Sequence, residues 1–205
     1  MRITHTFRGL YATALLLVAS QTANAQLNVS KLTVEHMENP TTVDATHPRL
    51  SWVNEASDAS VRGQRQTAYR IVVASTKEKL AAGEYDMWDS GRTESEQSTL
   101  VPYNGKALRS GQDCFWKVQT WDVKKKASAW SPVGQWGMGL LSPADWKAKW
   151  ICSDQPSGAP LFRKAFRLGS GIRQAKAYVT AGGYFELYMN GQRVGEDYLV
   201  PNFTN

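Results

Sequence analysis

Acid–base cleavage by carboxyl groups needs two of them flanking the reacting bond, roughly 5–9 Å apart in known hydrolases. The sequence carries 18 Asp and Glu residues, enough for some pair to meet that spacing by chance, so local context must discriminate. Asp86 and Asp89 flank Trp88 in DMWDSG. Turn and surface roles are expected for both, since short acidic side chains bond their own backbone in such stretches. Glu186 sits mid-strand between Tyr184 and Tyr188. It could face a sugar, but a solvated strand position is the expected state. No catalytic residue is assigned on these grounds. His36 and His47 have no Cys or Asp at ligand spacing, so no metal centre is expected. There is no nucleophile elbow and no phosphate-cradling glycine loop, and no cofactor is expected.

Flat aromatic faces are the other chemistry on offer. The chain has eight Trp, eight Tyr and six Phe. Aromatics bury large areas, so packing is the default for each. Trp88, Trp130, Trp146 and Trp150 are the four whose place in a core the sequence leaves open. For Trp130, in Ser128-Ala129-Trp130-Ser131, the alternative to packing is a stack on a cationic side chain such as Lys117 on the strand face. Whether any residue binds substrate is left unassigned.

The elements that must position these groups read as strands. Pro, Gly, Asn and Ser punctuate the chain about every ten residues, and no helical period is sustained. Leu50–Val53, Thr67–Ser75, Asp86–Gly91, Ser98–Tyr103, Cys114–Trp121 and Val133–Met138 are predicted strands. Cys114, Trp116 and Val118 alternate inward, as do Tyr69, Ile71 and Val73. Lys77–Ala82 is the one helix candidate, about a turn and a half long. About seven strands in this span have the rhythm of an immunoglobulin-like or fibronectin type III sandwich. Ser142-Pro143 interrupts it and can cap one short helical turn. Beyond, Leu161–Leu168 and Ala175–Thr180 are predicted strands. Tyr184–Val194 alternates around Asn190-Gly191, the signature of a two-residue hairpin. The expected organisation is a signal peptide over 1–25, a fibronectin type III-like sandwich over 26–141, and an incomplete second sandwich, jelly-roll-like, over 142–205. The fold class is all-β.

The signal is read from three parts. Arg2 and Arg8 supply basic charge, Leu10 to Ala19 an apolar run, and Ala23-Asn24-Ala25 the small residues before a cleavage expected after Ala25. The run is far short of the roughly 20 residues that span a bilayer. The mature chain is expected to be periplasmic or secreted, with no membrane attachment after cleavage. The formal charge is +6; removing Arg2 and Arg8 leaves 22 basic residues against 18 acidic, an excess of four. That excess is dispersed, apart from Lys124-Lys125-Lys126, which argues against nucleic acid as a partner. Cys114 and Cys152 are expected to be separate buried thiols rather than a bridge, although an oxidising compartment would permit one.

The ordered series of motifs resembles the N-terminal region of bacterial α-L-rhamnosidases, family 78 of the glycoside hydrolases. It comprises NPTTVDATHPRLSW (Asn39 to Trp52), RGQRQTAYRIVVAST (Arg62 to Thr76), WDSG (Trp88 to Gly91), WKVQTWD, SAWS, MGLL, DWKAKWI (Asp145 to Ile151) and GYFELYMNGQRVG (Gly183 to Gly195). The resemblance implies the non-catalytic front end of a secreted glycosidase that removes terminal α-L-rhamnose from plant glycosides or polysaccharides. It places the catalytic carboxylates in an (α/α)₆ barrel further along, which nothing here matches. It also implies packing on that absent domain, with rhamnose-containing glycans as possible partners. A free-standing carbohydrate-binding or adhesion module is the alternative. One departure stands out: the family carries Tyr at the fibronectin corner where this chain has Cys114. A thiol is a weak donor, so a looser corner is implied.

Overall fold

The computed structural model describes residues 27–60, 62–154, 158–172 and 174–196. The export signal expected over 1–25 lies outside them. Strands are β1 (Leu27–Val34), β2 (Arg49–Ala56), β3 (Ala68–Ala74), β4 (Trp88–Asp89), β5 (Thr93–Glu94), β6 (Val101–Pro102), β7 (Asp113–Trp121), β8 (Gly134–Gly137), β9 (Tyr188–Met189) and β10 (Gln192–Arg193). The single α-helix among the described residues, α1, is Lys77–Ala82. The chain divides into two units, Met1–Lys149 and Trp150–Asn205.

In the first unit two antiparallel sheets enclose one core. One is ordered β1-β2-β6; the other runs β4-β3-β7-β8, with β5 also paired to β3. β7 alternates strictly between half-buried and buried along DCFWKVQTW, as a strand with one face in the core must. Its inner face carries Cys114, Trp116, Val118 and Thr120. Register with β3 sets Ile71 opposite Val118 and Val73 opposite Trp116. Trp52, Leu50, Val101, Tyr103, Trp136 and Met138 complete the interior. This is the sandwich read from the sequence.

Two strands escape the sequence reading. β5 has only two residues. β1 pairs with β2 but changes register between Ser30 and Thr33, and Lys31 there takes a positive φ of 45°. That bulge puts Leu27 and Val29 inward, then Val34 on the same side, so a period-2 pattern does not run through it. β4, β6 and β8 are shorter than the predicted strands that contain them.

α1 matches its prediction. The Thr76 hydroxyl accepts from the Lys79 amide, and Gly83, at a left-handed φ of 79°, ends it. Leu80 packs the helix onto Val72 and Ala74, so β3 is buried on both faces. The Cys114 corner is not left without a phenol. Tyr103, buried in the same core, donates its hydroxyl to the Lys106 carbonyl at 2.8 Å. The first unit ends on a 3-10 turn, Pro143–Asp145, capped by the Ser142 hydroxyl. Ser110 fastens it by donating to Asp145 and accepting from the Leu141 amide at 2.8 Å.

The second unit is organised differently. Its only described strands are β9 and β10, joined through Asn190 and Gly191, which both take positive φ (51° and 82°). That is the hairpin turn expected from Asn-Gly. The predicted strands Leu161–Leu168 and Ala175–Thr180 do not form. An extended segment becomes a strand only when a neighbour pairs with it in a regular ladder, and neither segment is a strand among the described residues. Their side chains are largely in solvent, Leu161 at 93% exposure. Cys152, expected buried, is exposed, while Cys114 is buried.

Candidate functional site

One polar feature of the first unit is the outer face of the β3–β7 ladder. Register sets Arg70 opposite Gln119 and Val72 opposite Lys117, so Arg70 and Lys117 are diagonal neighbours on one face. Trp130 is brought over them by its own tetrapeptide. Ser131 donates its amide to the Val118 carbonyl (2.9 Å) and its hydroxyl accepts the Val118 amide (3.0 Å). Ser128 does the same for Thr120, at 2.8 and 3.1 Å. Two serines three residues apart thus serve two amides two residues apart. They stand in for a strand where β8 no longer pairs, and Trp130 between them projects over the sheet.

The result is a cation–aromatic stack. Lys117 Nζ lies 4.9 Å from the Trp130 ring centre and 5.6 Å from that of Tyr85. The Arg70 guanidinium lies 5.9 and 5.8 Å from the same rings. The Trp130–Lys117 contact, the alternative that the sequence left beside packing, is present. Arg70 and Tyr85 were not anticipated, although Arg70, between inward Tyr69 and Ile71, had to point outward. Such contacts hold about 0.5–2 kcal/mol each. Because cations occupy both rings, this face is built for packing rather than for sugar stacking.

Neither Asp of DMWDSG is placed for acid–base work. Asp89 takes Arg70 in a bidentate pair at 2.9 and 2.6 Å and accepts the Gly91 amide. The Arg70 bonds hold its carboxyl below the usual range. Burial alone would raise Asp86, but bonds from Lys79 and Ser75 outweigh it and hold that carboxyl down to about 2. Two carboxylates that stay ionised and ion-paired cannot supply the proton a glycosidase gives its leaving group. Glu186 is exposed on the hairpin, accepts the Tyr188 hydroxyl at 2.7 Å and lies 3.8 Å from Arg193.

His36 sits at a turn with φ of 68°, and His47 Nδ1 contacts the Thr46 hydroxyl at 3.2 Å. No group of three metal-ligating side chains occurs among the described residues, and no described helix is long and apolar enough to cross a membrane. Of the four unplaced tryptophans, Trp88 is half-buried against the core and meets Tyr103 edge-on at 5.4 Å. Trp130 is half-buried in the stack. Trp146 and Trp150 are 39% and 78% exposed.

Comparison with known proteins agrees with this architecture. Residues 29–142 match the family model described as Rha78A-like, N-terminal immunoglobulin domain. Residues 170–205 match that of the alpha-L-rhamnosidase N-terminal domain. An alpha-L-rhamnosidase of Formosa agariphila is 37% identical over 182 residues, 83% of this chain but 19% of that protein. The structure of the alpha-L-rhamnosidase from Dictyoglumus thermophilum superposes with a TM-score of 0.73 at 32% identity, over 86% of this chain and 21% of the other. That of the Streptomyces avermitilis enzyme, complexed with L-rhamnose, gives 0.57 at 41% identity over 62% and 12%. The chain therefore spans about a fifth or less of the length of these relatives.

Proposed function

We propose, for a chain that belongs to the family of Rha78A-like N-terminal immunoglobulin domains, that it is the non-catalytic front of a secreted α-L-rhamnosidase. The whole protein would remove terminal α-L-rhamnose from plant glycosides or polysaccharides. The first unit would serve as a self-contained scaffold. The second would lay its apolar side chains against further chain of the same protein. The observation that carries this reading is the match to 19% of a 37%-identical relative of that activity. The uncovered side chains of Ile151, Leu161, Phe166 and Leu168 support it. Apolar surface on this scale marks an interface or an unfinished core.

The test is the reading frame beyond Asn205, with an activity assay beside it. An open frame of several hundred residues, whose product cleaves an aryl α-L-rhamnoside while residues 1–205 do not, is the expected result. A stop codon there, or turnover by this chain that one Asp or Glu substitution abolishes, would overturn it.

A further inference from the structure

A cleft of about 330 Å³ opens in the first unit where β4, β5 and β6 approach one another. Its walls include Tyr69, Trp88, Asp89, Thr93, Gln97 and Asn104. We infer that it is a binding site for a neutral saccharide of about one pyranose unit.

The first argument is its charge. Asp89 is the only ionisable carboxylate on the walls, and Arg70 neutralises it through two bonds. What remains is neutral. The Trp88 indole N–H, the Asn104 amide and the Gln97 carbonyl oxygen Oε1 have no protein partner among the described residues. Gln97 spends its amide protons on the carbonyls of Thr99 and Leu100, which orients the group and leaves its acceptor over. An aromatic side chain beside uncommitted neutral donors and acceptors matches a ring with one apolar face and hydroxyls at its rim. It would serve an anion or a cation poorly.

The second argument is rigidity, since ordering loops on binding costs affinity. Buried Gln66 accepts the Trp52 indole N–H at 2.9 Å and donates to the carbonyls of Ser95 and Gln97 at 3.0 and 2.9 Å. The core therefore holds the Gln97 backbone in place. Asn104 lies between Tyr103 and Gly105, and this turn is held by the Tyr103–Lys106 bond and by the Lys106 amide on the Met87 carbonyl, 3.0 Å. At Gly105 an added Cβ would stand 2.5 Å from the Trp88 Cβ and from the Met87 oxygen, so only glycine lets the turn approach Trp88 this closely. Trp88 itself is braced by Tyr103. The cleft is thus formed before any ligand arrives.

This inference rests on the reading above only for its choice of a rhamnoside among the probes. The test titrates the isotope-labelled full chain with methyl α-L-rhamnoside, methyl α-D-glucoside and, separately, polygalacturonate, following Trp88 indole and Asn104 side-chain resonances. Saturable shifts confined to these groups with a neutral glycoside are expected, whichever of the two produces them. Asn104→Ala and Gln97→Ala remove exposed side chains and should each weaken binding about fivefold, the loss of one neutral hydrogen bond. Three results would overturn the inference: no saturable shift with either neutral glycoside, a response to polygalacturonate alone, or unchanged binding in both variants. None of them bears on the reading frame beyond Asn205.

Discussion

The two units spend the same kind of residue in opposite ways. In the first, Trp52, Trp116 and Trp136 are buried; the Trp52 indole donates to Gln66, while the Trp116 and Trp136 indole N–H groups have no partner among the described residues. In the second, Trp150, Leu161, Phe166 and Leu168 stand in solvent, and the only named strands among the described residues are the two-residue pair of one hairpin. Hydrophobicity does not separate them. What separates them, among the described residues, is whether chain of complementary pattern lies opposite. A sheet face contributes stability only when a second layer removes it from water. A lone hairpin is marginal even when its turn is right.

Hydrogen exchange should expose the largest difference. Amides of β7 should be protected by orders of magnitude more than those of Tyr184 to Val194, which should exchange nearly as free peptide. Equal slow exchange in a monomer would erase the contrast and make the second unit complete. Next in size is a pair of tryptophan substitutions read by urea melts. Trp116→Ala should cost about 3–5 kcal/mol, because its cavity lies in the centre of the core. Trp150→Ala, at a side chain largely in water, should stay within about 0.5 kcal/mol. Similar values for the two would show that burial does not divide the units as described.

A smaller effect tests the outer face. Trp130→Ala removes a ring packed against the cluster of Val72, Ala74 and Leu80 and with it the stack on Lys117 and Arg70. A loss of about 1–2 kcal/mol is expected, and Lys117→Ala should lose part of it but none once Trp130 is gone. Full additivity would mean the cation and the ring do not interact. The smallest effect is in acid. Asp86 is held at about 2 in the fold against 3.8 unperturbed. Its contribution is therefore present above pH 3.8 and lost as pH falls towards 2. Asp86→Asn should flatten the fall in melting temperature across that window. An unchanged slope would assign acid sensitivity to other carboxylates.

Local pattern carried most of the first unit. β7 and β3 were legible because strict alternation and β-branched residues mark a strand with a core face. α1 was legible because Thr76 and Gly83 bracket it, and the Asn190-Gly191 hairpin because few other dipeptides tolerate both positive φ angles. β1 was not, because a bulge at Lys31 breaks the alternation that would have announced it. Leu161–Leu168 and Ala175–Thr180 carry strand-like composition, and composition does not provide a partner.

Residue types and their periodicity by themselves determined the β class, the inward face of β7 with Trp116 and the family resemblance, and offered a Trp130–Lys117 stack as an alternative. Each depends on neighbours in sequence or on which face of a strand a residue occupies. Tertiary structure alone decided that Arg70 and Tyr85 join that stack and that Asp86 and Asp89 answer to different cations. It alone gathered Trp88, Gln97 and Asn104 around one cleft. Those groups are distant in sequence or belong to different elements. Strand register and loop packing bring them together, and both are settled only when the two sheets close on a common core.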